Sequence, residues 1–151
     1  MPNILIIVGS LAQQSFNRKV AEFIAAKYAS QFQFTFAQID DLPLYTQDRD
    51  ANSPASYQRL RAQIKQADGV LIVSPEHNRS IPAALKNAID IASRPAGEGV
   101  WSGKPIAIIT APPRHDRRNG RQPRHSPMFR GNQRLGDARA RSVSRRNPAI
   151  V

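Results

Sequence analysis

Three stretches of the chain are apolar without a break: Ile4-Leu5-Ile6-Ile7-Val8, Val70-Leu71-Ile72-Val73 and Ile106-Ala107-Ile108-Ile109. A strand buried on both faces of a parallel sheet reads this way. From Gln31 to Asp40 the pattern alternates instead, with Phe32, Phe34 and Phe36 on one face and Gln33 and Thr35 on the other. Alternation predicts a half-exposed edge strand. Between these stretches the apolar spacing turns helical. Val20, Phe23, Ile24 and Tyr28 predict a helix over 16–29 with those residues buried. Tyr57, Leu60, Ile64 and Ala67 give a second helix a narrow stripe. Ser53-Pro54 marks its start as cap and first helical residue, and Asp68-Gly69 closes it. Leu85, Ile89 and Ala92 share a face of a third helix, which Ser80 is expected to cap and which stops before Pro95.

Three strands alternate with helices before a fourth strand, Ile106–Thr110, arrives. Such β-α-β units have right-handed crossovers and build an α/β doubly wound parallel sheet. With the alternating strand at an edge and the first strand central, the expected order is 2-1-3-4. This is a flavodoxin-like arrangement with the fifth strand absent.

After Thr110 the periodicity stops, and composition changes with it. The net charge of +11 is not spread over the 151 residues. Residues 1–113 hold 11 Lys+Arg against 9 Asp+Glu, a net of +2, whereas residues 114–151 hold 11 Arg, no Lys and 2 Asp, a net of +9. The second part has few apolar side chains, chiefly Met128, Phe129, Leu135, Val143, Ile150 and Val151. That is too little to offset the entropy of ordering it. The division expected is a flavodoxin-like domain over 1–111 and a disordered Arg/Pro-rich tail over 112–151. Two origins compete for the tail: a genuine polyanion-binding extension, or an altered reading frame in a GC-rich gene. The latter is favoured by its arginine, proline and glycine without lysine. There is no cysteine, so disulfides and thiolate metal sites are excluded. No run approaches the roughly 20 apolar residues that span a bilayer. The amino terminus has no basic leader, so a cytoplasmic location is expected.

Two loops at the ends of doubly buried strands carry the candidate chemistry. The first reads G-S-L-A-Q-Q-S-F-N, Gly9 to Asn17. A strand-to-helix turn aims backbone N–H groups at one point, and the hydroxyls of Ser10 and Ser15 and the amide of Asn17 add donors suited to phosphate. Taken alone, Ser15 and Asn17 read better as a plain helix cap than as a phosphate site. The second is Pro75-Glu76-His77-Asn78-Arg79-Ser80-Ile81-Pro82, followed by Leu85-Lys86-Asn87. Taken alone, Glu76 is a loop acid, Asn78 holds a turn, Ser80 caps a helix, Lys86 and Asp90 form a surface pair, and Trp101 anchors packing. His115 and His125 have no ligand partners nearby.

Together these loops resemble the NAD(P)H-dependent FMN reductase family, whose relatives include quinone, azo and chromate reductases. There the first loop reads G-S-L-R-x-x-S-F-N and the second P-E-Y-N-x-S-x-P followed by L-K-N. Leu42-Pro43-Leu44-Tyr45 is a further likeness. The resemblance covers about residues 3–110. It implies FMN held by Ser10, Ser15, Phe16 and Asn17 at the phosphate and by Pro75, Glu76, His77, Asn78 and Ser80 along the ring. It also implies NAD(P)H as co-substrate, a small-molecule electron acceptor (quinone, azo dye, metal oxyanion or flavin) and homo-oligomers. Ala12 and His77 stand where the family has arginine and tyrosine, and a third flavin loop after residue 110 is missing, so weakened flavin binding is expected. No side chain is a general acid or base in that scheme, and no metal site is expected. The alternatives are a binding module that engages nucleic acid only nonspecifically through its tail, and a non-functional frame-shifted product.

Overall fold

The computed structural model describes residues 1–111. In chain order these are β1 (Asn3–Val8), α1 (Phe16–Lys27), β2 (Gln33–Phe36), α2 (Ala55–Gln66), β3 (Gly69–Ser74), α3 (Ala83–Ala92) and β4 (Ile106–Thr110), with a short 3-10 turn at Gln47–Arg49. The four strands form one parallel sheet in the order β2-β1-β3-β4. The flavodoxin-like order read from the sequence holds over the described residues. The disordered tail expected over 112–151 lies outside them.

Both faces of the sheet are covered, which is why β1 and β3 read as unbroken apolar runs. Leu5, Ile7, Val70 and Ile72 point to one face, where they pack with Tyr57, Leu60 and Ile64 of α2 and Leu85, Ala88 and Ile91 of α3. Ile6, Val8, Leu71 and Val73 point to the other, against Ala21 of α1. Trp101 is buried and donates its indole N–H to the Ile89 carbonyl, anchoring the loop that leads to β4.

Three expectations need correction. On α1 the buried face is Asn17 and Ala21, with Val20, Ile24 and Ala25 packed alongside. Phe23, expected inside, is 64% exposed, and Tyr28 is also exposed. Small residues let α1 approach the sheet, and the aromatics are turned outward under Lys27. Ser53 does not cap α2: Pro54 occupies the N-cap with an extended backbone. The Ser53 hydroxyl instead donates to the Arg49 carbonyl and accepts from Arg61. Ser80 does not cap α3 either. Pro82 is its N-cap, and Ser80 belongs to a hairpin two residues earlier.

Candidate functional site

The two motif loops leave the carboxyl ends of the central strands β1 and β3, which are hydrogen-bonded neighbours through Val8 and Val73. Gly9 extends that pairing by donating its N–H to the Val73 carbonyl at 2.9 Å. A Cβ on Gly9 would stand 2.3 Å from the Ser74 Oγ and 2.8 Å from its Cβ. Ser74 itself is buried and donates its hydroxyl to the Pro75 carbonyl. The absence of a side chain at Gly9 therefore lets the two loops start side by side. That contact was not legible in the sequence, where Gly9 read as the first residue of the candidate phosphate loop.

In the first loop, Ser15 is the N-cap of α1 and its Oγ accepts from the Arg18 N–H. Ser10 Oγ accepts from the Ala12 N–H at 3.4 Å. Both hydroxyls act as acceptors toward the chain, so both protons stay available to a ligand. The N–H groups of Phe16 and Asn17 are among the donors a helix start leaves without an intrahelical partner. Asn17 is buried, and its Nδ2 donates to the Ala111 carbonyl at 3.2 Å. This bond ties the first loop to the exit of β4. The Asn17 Oδ1 is buried and has no partner among the described residues. A buried acceptor without a donor is costly, and a ligand hydroxyl would satisfy it. Phe16 is 59% exposed and, with exposed Leu11, gives the loop an apolar rim. On its β2 side the loop borders a cleft of about 500 Å3 lined by Ser10, Gln13, Arg18 and Phe36. There the Arg18 guanidinium lies 4.6 Å from the Phe36 ring centre and pairs with Glu22.

The second loop is a tight hairpin. His77 donates its N–H to the Ser80 carbonyl at 2.9 Å, and Ser80 returns the bond at 2.8 Å. Asn78 and Arg79 between them have φ of 50° and 65°, the two left-handed residues a type I′ turn requires. Pro75 and Pro82, both buried, fix the two ends. His77 and Asn78 are exposed at the tip, and Glu76 and Ser80 are half-buried. The backbone of His77 is engaged in the hairpin, which leaves that of Glu76 and Asn78 for a ligand.

The residue that sequence reasoning passed over is Asn87, although it stands in the L-K-N motif. It is buried on α3. Its Oδ1 accepts from the Tyr45 N–H at 2.8 Å, and its Nδ2 donates to the carbonyls of Pro43 at 3.0 Å and Leu42 at 3.4 Å. Asn87 thereby clamps the Leu42–Tyr45 loop against the helix that follows the hairpin. The Tyr57 hydroxyl and Arg49 take the Pro43 and Leu44 carbonyls. The Tyr45 hydroxyl donates to Asp50. Partial burial and then that carboxylate push its pKa up from the ordinary value. At the head of the same loop Arg59 holds Asp41 in a two-pronged pair at 2.6 and 2.9 Å, which lowers the Asp41 pKa.

Among the described residues no cluster of His, Asp or Glu is arranged to hold a metal, and none of their helices is long and apolar enough to cross a membrane. The two loops set uncharged donors on one side and a rigid hairpin on the other.

Comparison with known proteins gives a consistent result. A family model described as NADPH-dependent FMN reductase matches residues 2–126. The chain is 46% identical over 112 residues to a quinone reductase of Pseudomonas putida, an alignment covering 74% of this chain and 60% of that protein. It is 52% identical over 106 residues to a 2-hydroxy-1,4-benzoquinone reductase of a Burkholderia species, covering 70% and 58%. Among solved structures it resembles FerB, a flavoenzyme NAD(P)H:(acceptor) oxidoreductase from Paracoccus denitrificans, with 40% identity, a TM-score of 0.70, and 73% and 60% of the two chains covered. The chain thus spans about three-fifths of the length of these relatives.

Proposed function

The chain belongs to the NADPH-dependent FMN reductase family, and from that membership we propose that it is an oxidoreductase using FMN, with NAD(P)H as electron donor and a small quinone-class molecule as acceptor. The observation that carries this reading is the Gly9–Ser74 contact, which sets a donor-rich loop and a rigid hairpin side by side at the ends of β1 and β3. Open α/β sheets bind ligands at this switch point. The residues fit the cofactor. The hydroxyls of Ser10 and Ser15 and the first N–H groups of α1 offer hydrogen bonds to a phosphate, and the Asn17 Oδ1, without a partner among the described residues, suits a ribityl hydroxyl. Phe16 and the segment Pro75, Glu76, His77, Asn78 and Ser80 border the ring.

Bound flavin supplies the two-electron chemistry. The chain binds and orients it, and in this scheme no side chain transfers a proton. The names of the relatives favour a quinone over azo, oxyanion or free flavin acceptors. We assign this activity to residues 1–111, in the cytoplasm, and treat 112–151 as a separate basic segment. Sequencing the gene around codon 111 decides whether that segment is in frame. Self-association belongs to the same reading and is supported by the apolar edge of β4. Titration of flavin-free protein with FMN, followed by visible absorption and fluorescence, tests the proposal. Saturable binding and quinone-dependent NAD(P)H oxidation are expected. A folded chain that takes up no FMN refutes it.

A further inference from the structure

The hairpin holds a residue that its backbone disfavours. At the second central position of a type I′ turn glycine is the favoured residue, because a side chain there meets the backbone when φ is positive. Asn78, at the first position, belongs to the residue types that tolerate this conformation. Arg79, at φ 65°, does not. The turn cannot relax around it, because reciprocal bonds between His77 and Ser80 and the buried prolines on both sides fix the geometry. Strain of this kind persists at sites where the side chain is used. The Arg79 side chain is exposed and, like several other basic side chains, has no acidic partner among the described residues; its backbone conformation is what sets it apart.

We propose that Arg79 is a specificity residue that receives a phosphate of the incoming nicotinamide dinucleotide. This inference rests on the flavin reading above. The phosphate end of the flavin site is the first loop, so the hairpin borders the other end, where a second substrate docks over the ring. Quinones carry no phosphate, while the dinucleotide carries a pyrophosphate and, in NADPH, a 2′-phosphate as well. A guanidinium on a rigid tip meets a phosphate oxygen with a charge-assisted, two-pronged bond and little loss of entropy.

The test is calorimetric titration of the FMN-loaded chain with NAD+ and NADP+, between which and oxidised flavin no electrons pass, in wild type, Arg79→Gly and Arg79→Lys. Steady-state KM values for NADH, NADPH and benzoquinone accompany it. Arg79→Gly should weaken dinucleotide binding roughly tenfold. Its FMN affinity and benzoquinone KM should stay within about twofold, and its thermal midpoint should equal or exceed that of wild type because strain is released. Arg79→Lys should fall between the two. A loss shared by both dinucleotides assigns the pyrophosphate, and a loss confined to NADP+ and NADPH assigns the 2′-phosphate. Affinities unchanged by Arg79→Gly, or no dinucleotide binding by the FMN-loaded wild type, overturn the inference while leaving the flavin reading intact. Failure of the wild type to take up FMN overturns both.

Discussion

Gly9 has no room for a methyl group. The nearest atoms a Cβ would meet are both from Ser74, whose own position is fixed by burial and by its bond to the Pro75 carbonyl. Gly9→Ala should therefore cost about 1–3 kcal/mol in urea unfolding, as overpacking does. It should also weaken FMN binding at least roughly tenfold, because the loops that flank the cofactor are forced apart. Adding Ser74→Gly should recover part of both losses. Lack of recovery would mean that the damage lies elsewhere than in this contact. At the same scale Asp41 sets a pH dependence. The bond from Arg59 holds its folded pKa below the ordinary 3.8, so the pair stabilises the fold above about pH 4 and that contribution fades as pH falls through the lower folded value. Both side chains are more than a third exposed, which limits the effect to under about 1 kcal/mol. Urea unfolding of wild type and Asp41→Asn at pH 6 should differ by that amount, and the two should draw together as pH falls through the lowered folded value of Asp41.

At the scale of elements, the Leu42–Tyr45 loop is held chiefly by one side chain from another element. Asn87→Ala would take the side-chain partner from the Tyr45 N–H and the Leu42 carbonyl and leave the Pro43 carbonyl with the Tyr57 hydroxyl alone, at a cost of about 1–3 kcal/mol. The loss should appear in urea unfolding, together with faster proteolysis between Asp41 and Asp48. Unchanged cleavage there would remove Asn87 as the clamp. This clamp also marks where the sequence stopped being readable. The strands were legible because β1 and β3 bury both faces, so their positions follow from apolar runs alone. The site loops were legible because their motifs sit at the ends of those strands. What could not be read are the contacts between segments far apart in the chain: Gly9 on Ser74, Asn17 on Ala111, Asn87 on Tyr45. The stripes of α2 and α3 and the Ser15 cap of α1 were legible, and the failures were local. On α1 Val20 and Ile24 pack as read, but the aromatics Phe23 and Tyr28 are turned outward and the buried face is centred on Asn17 and Ala21. Before α2 and α3, extended prolines took the cap position from the nearby serines.

Taken as a whole molecule, the described sheet is asymmetric. Its β2 edge is short and half-polar, with four residues. Its β4 edge is apolar on both faces: Ile106 packs against the α2/α3 cluster, Ile109 against the α1 cluster, and Ile108 is 39% exposed. Among the described residues β4 pairs with β3 alone, and its outer N–H and C=O groups have no strand partner there. An apolar open edge invites pairing with another chain, and a lysine on such an edge opposes it. Sedimentation velocity over a range of concentrations should show the wild-type chain associating, and Ile108→Lys should shift it toward monomer. Ile108 is far enough exposed for its ammonium to reach water, so FMN affinity should persist in the variant. Loss of association with retained flavin binding would place the interface on β4 and show that the cofactor site is complete within one chain. Loss of both together would mean that the cofactor site is itself built across the association. A wild type that stays monomeric at every concentration would refute an open edge, and would direct attention to residues beyond 111 as its cover.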